Sequence, residues 1–349
     1  MKEHEIIFYT IFVIVIVAIL LVDLLVFDRH SHKVSLKEAL LWTLLWIALA
    51  FAFAGFIYLH GEKIHGIENI QDLKKVITKY DYHTPIDEDN FELSLSRFKK
   101  DMTLDYITGY LLEKTLSLDN LFVMLLIFNT FNVKSIHYKR VLFWGILGAI
   151  ILRTLFIFLG AALVLEFRWI LYLFGAFLIY SGSKILISGE QESIDPQHHP
   201  VVKFLSKHFR IFPRFVGEHF FIRNREKLWF ATPLFLVLVF IEISDIIFAF
   251  DSIPAIFSVT LDPYIVFFSN IFAILGLRAL FFLLAEIFDK FYALEYGVSI
   301  LLIFIGLKLI FAHWLHRFGF GNIHSLFLIL SILTISILWS IIFPQKSKT

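Results

Sequence analysis

The sequence predicts an all-α membrane protein of about nine transmembrane helices, organised around two inverted three-helix repeats. Three observations predict it. Of 349 residues, 58% are hydrophobic and 17% are charged, and the mean hydropathy is +0.79; a soluble chain keeps about a quarter of its residues charged. The apolar residues come in long blocks, each able to cross about 30 Å of hydrocarbon as a helix. Three patterns also recur in one order along the chain. This composition excludes a cytoplasmic globular enzyme and a disordered chain. The net charge of +1 gives no basic field for nucleic acid, and the absence of cysteine excludes disulfides, thiolate metal sites and cysteine nucleophiles.

Residues 1–60 hold two spans, 5–27 and 38–59. The first is too long for a signal peptide, and Asp28, Arg29 and His30 follow it in place of a small-residue cleavage site. Residues 61–102 form a loop with more acids than bases. Residues 103–188 hold three spans, 103–131, 140–164 and 168–187. A basic loop, 189–230, leads to three more within 231–316, at 231–257, 264–288 and 294–315. Residues 317–349 supply a last span, 324–343, and a tail.

Lysine and arginine in the connections set the orientation. One side gathers Arg29, Lys33, Lys37, Lys134, Lys139, Arg140, Lys290, Lys346 and Lys348, and the loop adds Lys203, Lys207, Arg210, Arg214, Arg223, Arg225 and Lys227. The other side has only Lys2, Arg168 and Arg317 in short segments. The N-terminus is therefore expected outside and the C-terminus in the cytoplasm. Loop 61–102 is then extracytoplasmic. The cytoplasmic basic loop, rich in Phe, either lies against anionic lipid or is a solvated linker.

The repeat is carried by EKTLSLDN at 113–120 against DIIFAFDS at 245–252, LRTLF at 152–156 against LRALF at 277–281, and LIYSGSKIL at 178–186 against LIFIGLKLI at 302–310. The separations are 132, 125 and 124 residues. Each copy holds three spans, an odd number, so consecutive copies enter the membrane from opposite sides. That is the inverted-repeat plan of many secondary transporters, with the site near the midplane.

Charges inside these spans are costly, on the order of 3 kcal/mol each at the bilayer centre, and need partners or water. Glu113, Asp119, Glu242, Asp245 and Asp251 fall in two spans, against Arg153 and Arg278 near mid-span. The arginines either pair with the acids or touch substrate. Lys184, Lys308 and Lys114 can snorkel or pair; Glu286 and Asp23 sit near span ends. The acidic excess calls for protons or cations. Glu113, Ser117 and Asn120 share one helix face, and Asp245, Ala249 and Ser252 repeat it, while Asp119 and Asp251 lie about 120° around. A local helix break would bring these oxygens together, and Pro254 supplies one, freeing the carbonyl of Phe250. The donors are hard oxygens, suited to Mn²⁺, Ca²⁺ or Mg²⁺. No histidine lies in either motif; His313 and His316 sit at a span end.

E-x-x-L-S-x-D-N at 113–120 with D-I-I-F-A-F-D-S-I-P-A-I at 245–256 resembles the TerC/Alx family of integral membrane proteins over about residues 100–316. Members are associated with tellurium resistance, alkaline response and manganese export. The resemblance implies that Asp119, Asn120, Asp251 and Ser252, with Glu113 and Asp245, line an ion path. Some relatives carry a second copy closer to S-x-D-N; here Ala249 and Ser252 take those places, leaving fewer ligand oxygens. The expectation is an inner-membrane divalent-cation exporter, most simply for Mn²⁺, whose halves rock about a midplane site. Glu242, Arg153, Arg278, Ser117, Lys184 and Lys308 are supporting or gating residues, and Asp245 or Glu242 could take protons. Lipid and the ion are the expected partners, with homo-oligomers or stress-complex proteins open. No resident cofactor, nucleic acid or catalytic role is expected, since no nucleophile elbow, phosphate-loop or metalloprotease motif occurs. The alternative of another class is a membrane scaffold or assembly factor in the metal or tellurite stress response.

Overall fold

The structure, a computed structural model, describes residues 10–12, 14–19, 35–167, 169–188, 210–223, 228–287, 293–311, 314–315, 320 and 322–343. The expected span 5–27 is therefore seen only over residues 10–12 and 14–19, which are helical. Much of the basic loop, and Arg168, Lys290, His313, His316, Arg317 and the tail after 343, lie outside the described residues.

Helix α1, Leu36–His60, starts at Ser35, whose hydroxyl accepts from the Glu38 N–H at 3.3 Å. The expected extracytoplasmic loop contains two helices, α2 (Glu62–His65) and α3 (Ile70–Tyr80). Helix α4, Phe91–Thr130, is 40 residues long, about 60 Å at helical rise. Its first turns carry many polar residues but bury Leu95 and Phe98 against the core shared with α3, and the helix begins well before the expected 103. The 3₁₀ turn Ser135–His137 leads into α5, Tyr138–Glu166, and then α6, Ile170–Ser188. A short antiparallel ribbon pairs β1 (Phe221–Arg223) with β2 (Trp229–Ala231). Helix α7 is Pro233–Phe257, α8 Pro263–Ile274, α9 Leu277–Ile287, α10 Ala293–Ile310 and α11 Asn322–Ile342.

Among the described residues, α1, α5 and α7 are long and apolar enough to cross a membrane, and α8 with α9 make a fourth if counted as one bent span. Helices α6, α10 and α11 contain shorter apolar stretches.

The break expected at Pro254 is not there. Helix α7 runs through that proline and ends three residues later. A proline in the last turn lacks only one N–H, and Ser258 closes the end by donating its N–H to the carbonyls of Pro254 (3.1 Å) and Ala255 (3.2 Å). The break falls instead between α8 and α9, which bend by 43°. Leu275 leaves the helix with ψ 129°, and Gly276 follows at φ +80°. That backbone favours glycine, and a Cβ there would also strike the indole of Trp46 on α1.

The ends of the helices sort into two groups. At one end, Tyr80–His83, Asp101, Asp105, Leu171, Ser258–Leu261 and Lys308 surround a cavity of about 420 Å³. At the other, Phe131 meets Phe240, His137 stacks on Phe215 and the Arg140 guanidinium lies over Phe220. A dense aromatic core (Phe12, Phe53, Phe268 and Phe272) joins α1 to α8.

Helices α6 and α10 run antiparallel in close contact. A Cβ on Gly306 would approach the Gly175 carbonyl to 2.5 Å, and one on Gly182 would approach the Ser299 carbonyl to 2.6 Å. Small residues let two membrane helices pack backbone to backbone. Gly306→Val is expected to lower the thermal unfolding midpoint of the purified protein by the equivalent of about 1–3 kcal/mol. Gly55, whose Cβ would meet nothing within 4 Å, is the control: Gly55→Ala is expected to leave it unchanged or raise it. Equal effects of the two substitutions would contradict this packing.

Candidate functional site

Four helices bring polar side chains to one buried point. Helical spacing puts Glu113, Ser117 and Asn120 on one face of α4, and all three are buried. The same spacing on α7 buries Asp245, Ala249 and Ser252. From α5 comes Arg153, and from α8 come Ser269 and Asn270, all buried.

Arg153 is the hub. Its Nη2 lies 3.1 Å from Asp245 Oδ1 and its Nε donates to Oδ2 at 3.5 Å. Its Nη1 ion-pairs with Glu113 and also donates to Asn270 Oδ1 at 3.4 Å. The side chains of Arg153, Glu113 and Asp245 are 2%, 0% and 4% exposed, so this fork is dry. Asn120 Nδ2 donates to Asp245 Oδ1 at 3.4 Å. Asn270 is itself oriented by donating Nδ2 to the Val266 carbonyl at 3.0 Å. A planar guanidinium with five donors can serve two carboxylates at once, which an ammonium cannot do with fixed geometry. The cluster holds two carboxyl groups and one guanidinium, so the acids outnumber the base by one, an excess that a proton or a cation would balance.

The expected site residues divide as follows. Glu113, Asn120, Asp245 and Arg153 are together. Ser117 is beside them in sequence, its hydroxyl donating to the Lys114 carbonyl at 2.8 Å. The Ser252 hydroxyl is buried and has no hydrogen-bond partner among the described residues. Glu242, one turn before Asp245, packs its carboxylate against Gly148 of α5, where a Cβ would overlap it. Lys114 donates to the Ala273 carbonyl at 3.2 Å, close to the α8–α9 break. Arg278 is buried just beyond that break. Lys308 lines the cavity, whereas Lys184 is exposed. Asp119 and Asp251 directly precede Asn120 on α4 and Ser252 on α7 in sequence, but their side chains lie outside the described residues. Among the described residues, no three His, Asp or Glu side chains converge as a metal site.

Asn270 was missed by sequence reasoning. Its signal was there: a Ser-Asn pair inside an otherwise apolar span. A second buried network was also missed, at the cavity end. His65 Nε2 lies 2.6 Å from Asp262 Oδ2, and the Tyr82 hydroxyl donates to the same oxygen at 3.0 Å. Asp262 Oδ1 caps α8 by accepting from the Tyr264 N–H at 3.0 Å. This clasp ties the segment carrying α2 and α3 to the start of the helix that holds Asn270. The partners are 197 and 180 residues apart, so no local pattern announces it.

Comparison with known proteins gives the following. The profile described as "Integral membrane protein TerC family" matches residues 98–348. The chain is 40% identical over 306 residues to Alx of Escherichia coli K12, described as a candidate membrane-bound redox modulator, covering 87% of this chain and 86% of that one. It is 40% identical over 299 residues to an uncharacterized membrane protein of Myxococcus xanthus, covering 85% and 81%. It is 37% identical over 337 residues to an uncharacterized membrane protein of Rickettsia felis, covering 97% of each. No solved structure matches.

Burial, then the charges of Asp262 and Asp105, push the Tyr82 phenol well above its ordinary value of 10.0. The folded chain thus holds this proton more tightly than the unfolded one. The stability it contributes is present below pH 10 and is lost as pH rises beyond it. The thermal midpoint of the wild type is expected to fall more steeply above pH 10 than that of Tyr82→Phe. Parallel pH curves would contradict the buried phenol–carboxylate contact.

Proposed function

The chain belongs to the TerC family of integral membrane proteins, and from that premise we propose that it exports divalent cations, Mn²⁺ first among them, across the inner membrane. The observation that carries this reading is the dry fork of Arg153 between Glu113 and Asp245. Two carboxylates from different parts of the chain are held at one point, with Asn120 beside them and a negative charge to spare. The cation site is built from Asp119 and Asp251, the neighbours in sequence of Asn120 and Ser252, with Glu113 and Asp245 completing or gating it. These are hard oxygen donors, which favour Mn²⁺, Ca²⁺ or Mg²⁺ over softer ions.

Residues 103–188 and 231–316 are read as inverted repeats. The α6–α10 contact supports this. Gly175 meets Gly306, and Gly182 meets Ser299. A shift of 124 residues turns Gly175 into Ser299 and Gly182 into Gly306. The two contacts therefore exchange into one another, as a two-fold axis in the membrane plane requires. The helix break at Leu275–Gly276 supports it too, since interrupted helices at membrane depth occur where they line a protein cavity.

Export on this reading needs no chemical step. The ion loses part of its water among the carboxylates, and the two halves rock to expose it to the other side. The N-terminus is outside and the C-terminus in the cytoplasm, following the lysine and arginine distribution. Asp245 or Glu242, whose carboxylate packs against Gly148, takes a proton on this reading when the cation leaves. The Alx relative is described as a candidate redox modulator. The chain has no cysteine, so on this reading a redox effect would run through the cation it moves rather than through a thiol of its own.

Flux of Mn²⁺, Ca²⁺ and Mg²⁺ into proteoliposomes, with and without a pH gradient, tests the reading. Mn²⁺ flux is expected in the wild type. It is expected to fall at least about tenfold in the Asp119→Ala, Asp251→Ala double variant, since each lost charged ligand is worth about 1.5–3 kcal/mol. Equal flux by the two proteins would overturn it.

A further inference from the structure

Arg153 and Arg278 occupy matching places in the two proposed repeats, 125 residues apart. So do Glu113 and Asp245, 132 residues apart. In the structure one member of the arginine pair, Arg153, bridges both members of the acid pair. This pairing is lopsided with respect to the repeat. A two-fold that exchanges the halves would swap Glu113 with Asp245 and put Arg278 where Arg153 now is. In an inverted-repeat carrier the two facing states are related in this way, each half adopting the conformation of the other. We propose that Arg153 and Arg278 are alternating counter-ions: Arg153 neutralises the Glu113–Asp245 pair in the state seen here, and Arg278 takes its place in the state facing the opposite side. The inference rests on the inverted-repeat transport reading and deepens it.

Four observations support the assignment. The two carboxylates are almost wholly buried, so an uncompensated pair would be strongly unfavourable in any state lacking cargo. Arginine cannot shed its proton, so it is a fixed cation that can serve at every pH. Asn270 gives the guanidinium a second anchor, 3.4 Å from Nη1, toward which it can turn when a cation claims the acids. Arg278 follows directly on the Leu275–Gly276 break, the place where the packed helices are bent and its position can change with the angle between α8 and α9. On this proposal the cavity at the Lys308 end lies on the side that this state faces. Of the other charges on these helices, Lys114 donates to the Ala273 carbonyl and Glu242 packs on Gly148, while the side chains of Asp119 and Asp251 lie outside the described residues.

Both arginines are positioning residues, and the readout is sidedness rather than activity alone. The chain has no cysteine, so a single Ser258→Cys on the cavity wall reports its opening through the rate of modification by a membrane-impermeant maleimide. In proteoliposomes, Arg153→Met is expected to slow labelling about tenfold and Arg278→Met to speed it, the shift that about 1.4 kcal/mol of bias between two states produces. Arg153→Lys is expected to restore much of the wild-type rate. If Arg153→Met does not fold, the charge-balanced Glu113→Gln, Arg153→Met variant is read in its place, with the same expected slowing. Shifts in the same direction for the two arginines, or no shift in either, would overturn the inference. Wild-type Mn²⁺ flux together with unshifted labelling removes the alternating counter-ions alone. Opposite labelling shifts without flux of any divalent cation uphold them and remove the cation reading.

Discussion

The structure depends on one buried electrostatic arrangement: a single guanidinium holding two carboxylates away from water. Glu113 on α4 and Asp245 on α7 would repel each other, and each would carry a desolvation penalty of several kcal/mol. Arg153 on α5 makes their proximity tolerable, and Asn270 on α8 fixes where Arg153 points. Four helices are thereby tied at one depth. In an apolar chain such contacts specify which helix faces meet, because neighbouring hydrocarbon surfaces alone discriminate poorly. The remaining packing is consistent with this tie, from the phenylalanine core between α1 and α8 to the glycine contact between α6 and α10.

The same arrangement has a functional side. A pair of buried acids faced by one arginine is under-neutralised, and a proton or a cation would balance it; the proposed function assigns that place to the cation. On the proposed function, the geometry of the cluster also sets a condition on transport. Any cation bound by Glu113 or Asp245 competes with a guanidinium already there. Selectivity then depends on how well the ion replaces two charge-assisted hydrogen bonds, which favours small, doubly charged, oxygen-seeking ions. The clasp of His65, Tyr82 and Asp262 bears on this from a distance, since it anchors the start of the helix that carries Asn270.

Much of this was legible in the sequence. Long apolar blocks announced the helices, and the cost of charge in hydrocarbon singled out the acids and arginines before any fold was seen. The 3.6-residue spacing correctly put Glu113, Ser117 and Asn120 on one buried face, and Asp245 and Ser252 on another. What could not be read were partnerships set by tertiary contact. Whether an arginine pairs or touches cargo is decided by α5 meeting α7, separated by 92 residues between Arg153 and Asp245. The helix break was placed at Pro254 because proline is the visible breaker. The structure breaks at Leu275–Gly276, where close approach of Trp46 and a left-handed backbone require glycine, and that requirement comes from α1. The polar start of α4 likewise read as loop, because its helicity is stabilised by neighbours rather than by apolar content.

The central claim, that the arginine-bridged acids mark the place where a divalent cation is bound, is tested most directly by locating the ion. Anomalous scattering at the manganese edge from crystals grown with saturating Mn²⁺ reports its position without reference to activity. A single strong peak is expected among the carboxylates of Asp119, Asp251, Glu113 and Asp245, with the Arg153 guanidinium turned toward Asn270. A peak confined to the extramembrane segments, with Arg153 still bridging Glu113 and Asp245, would contradict it.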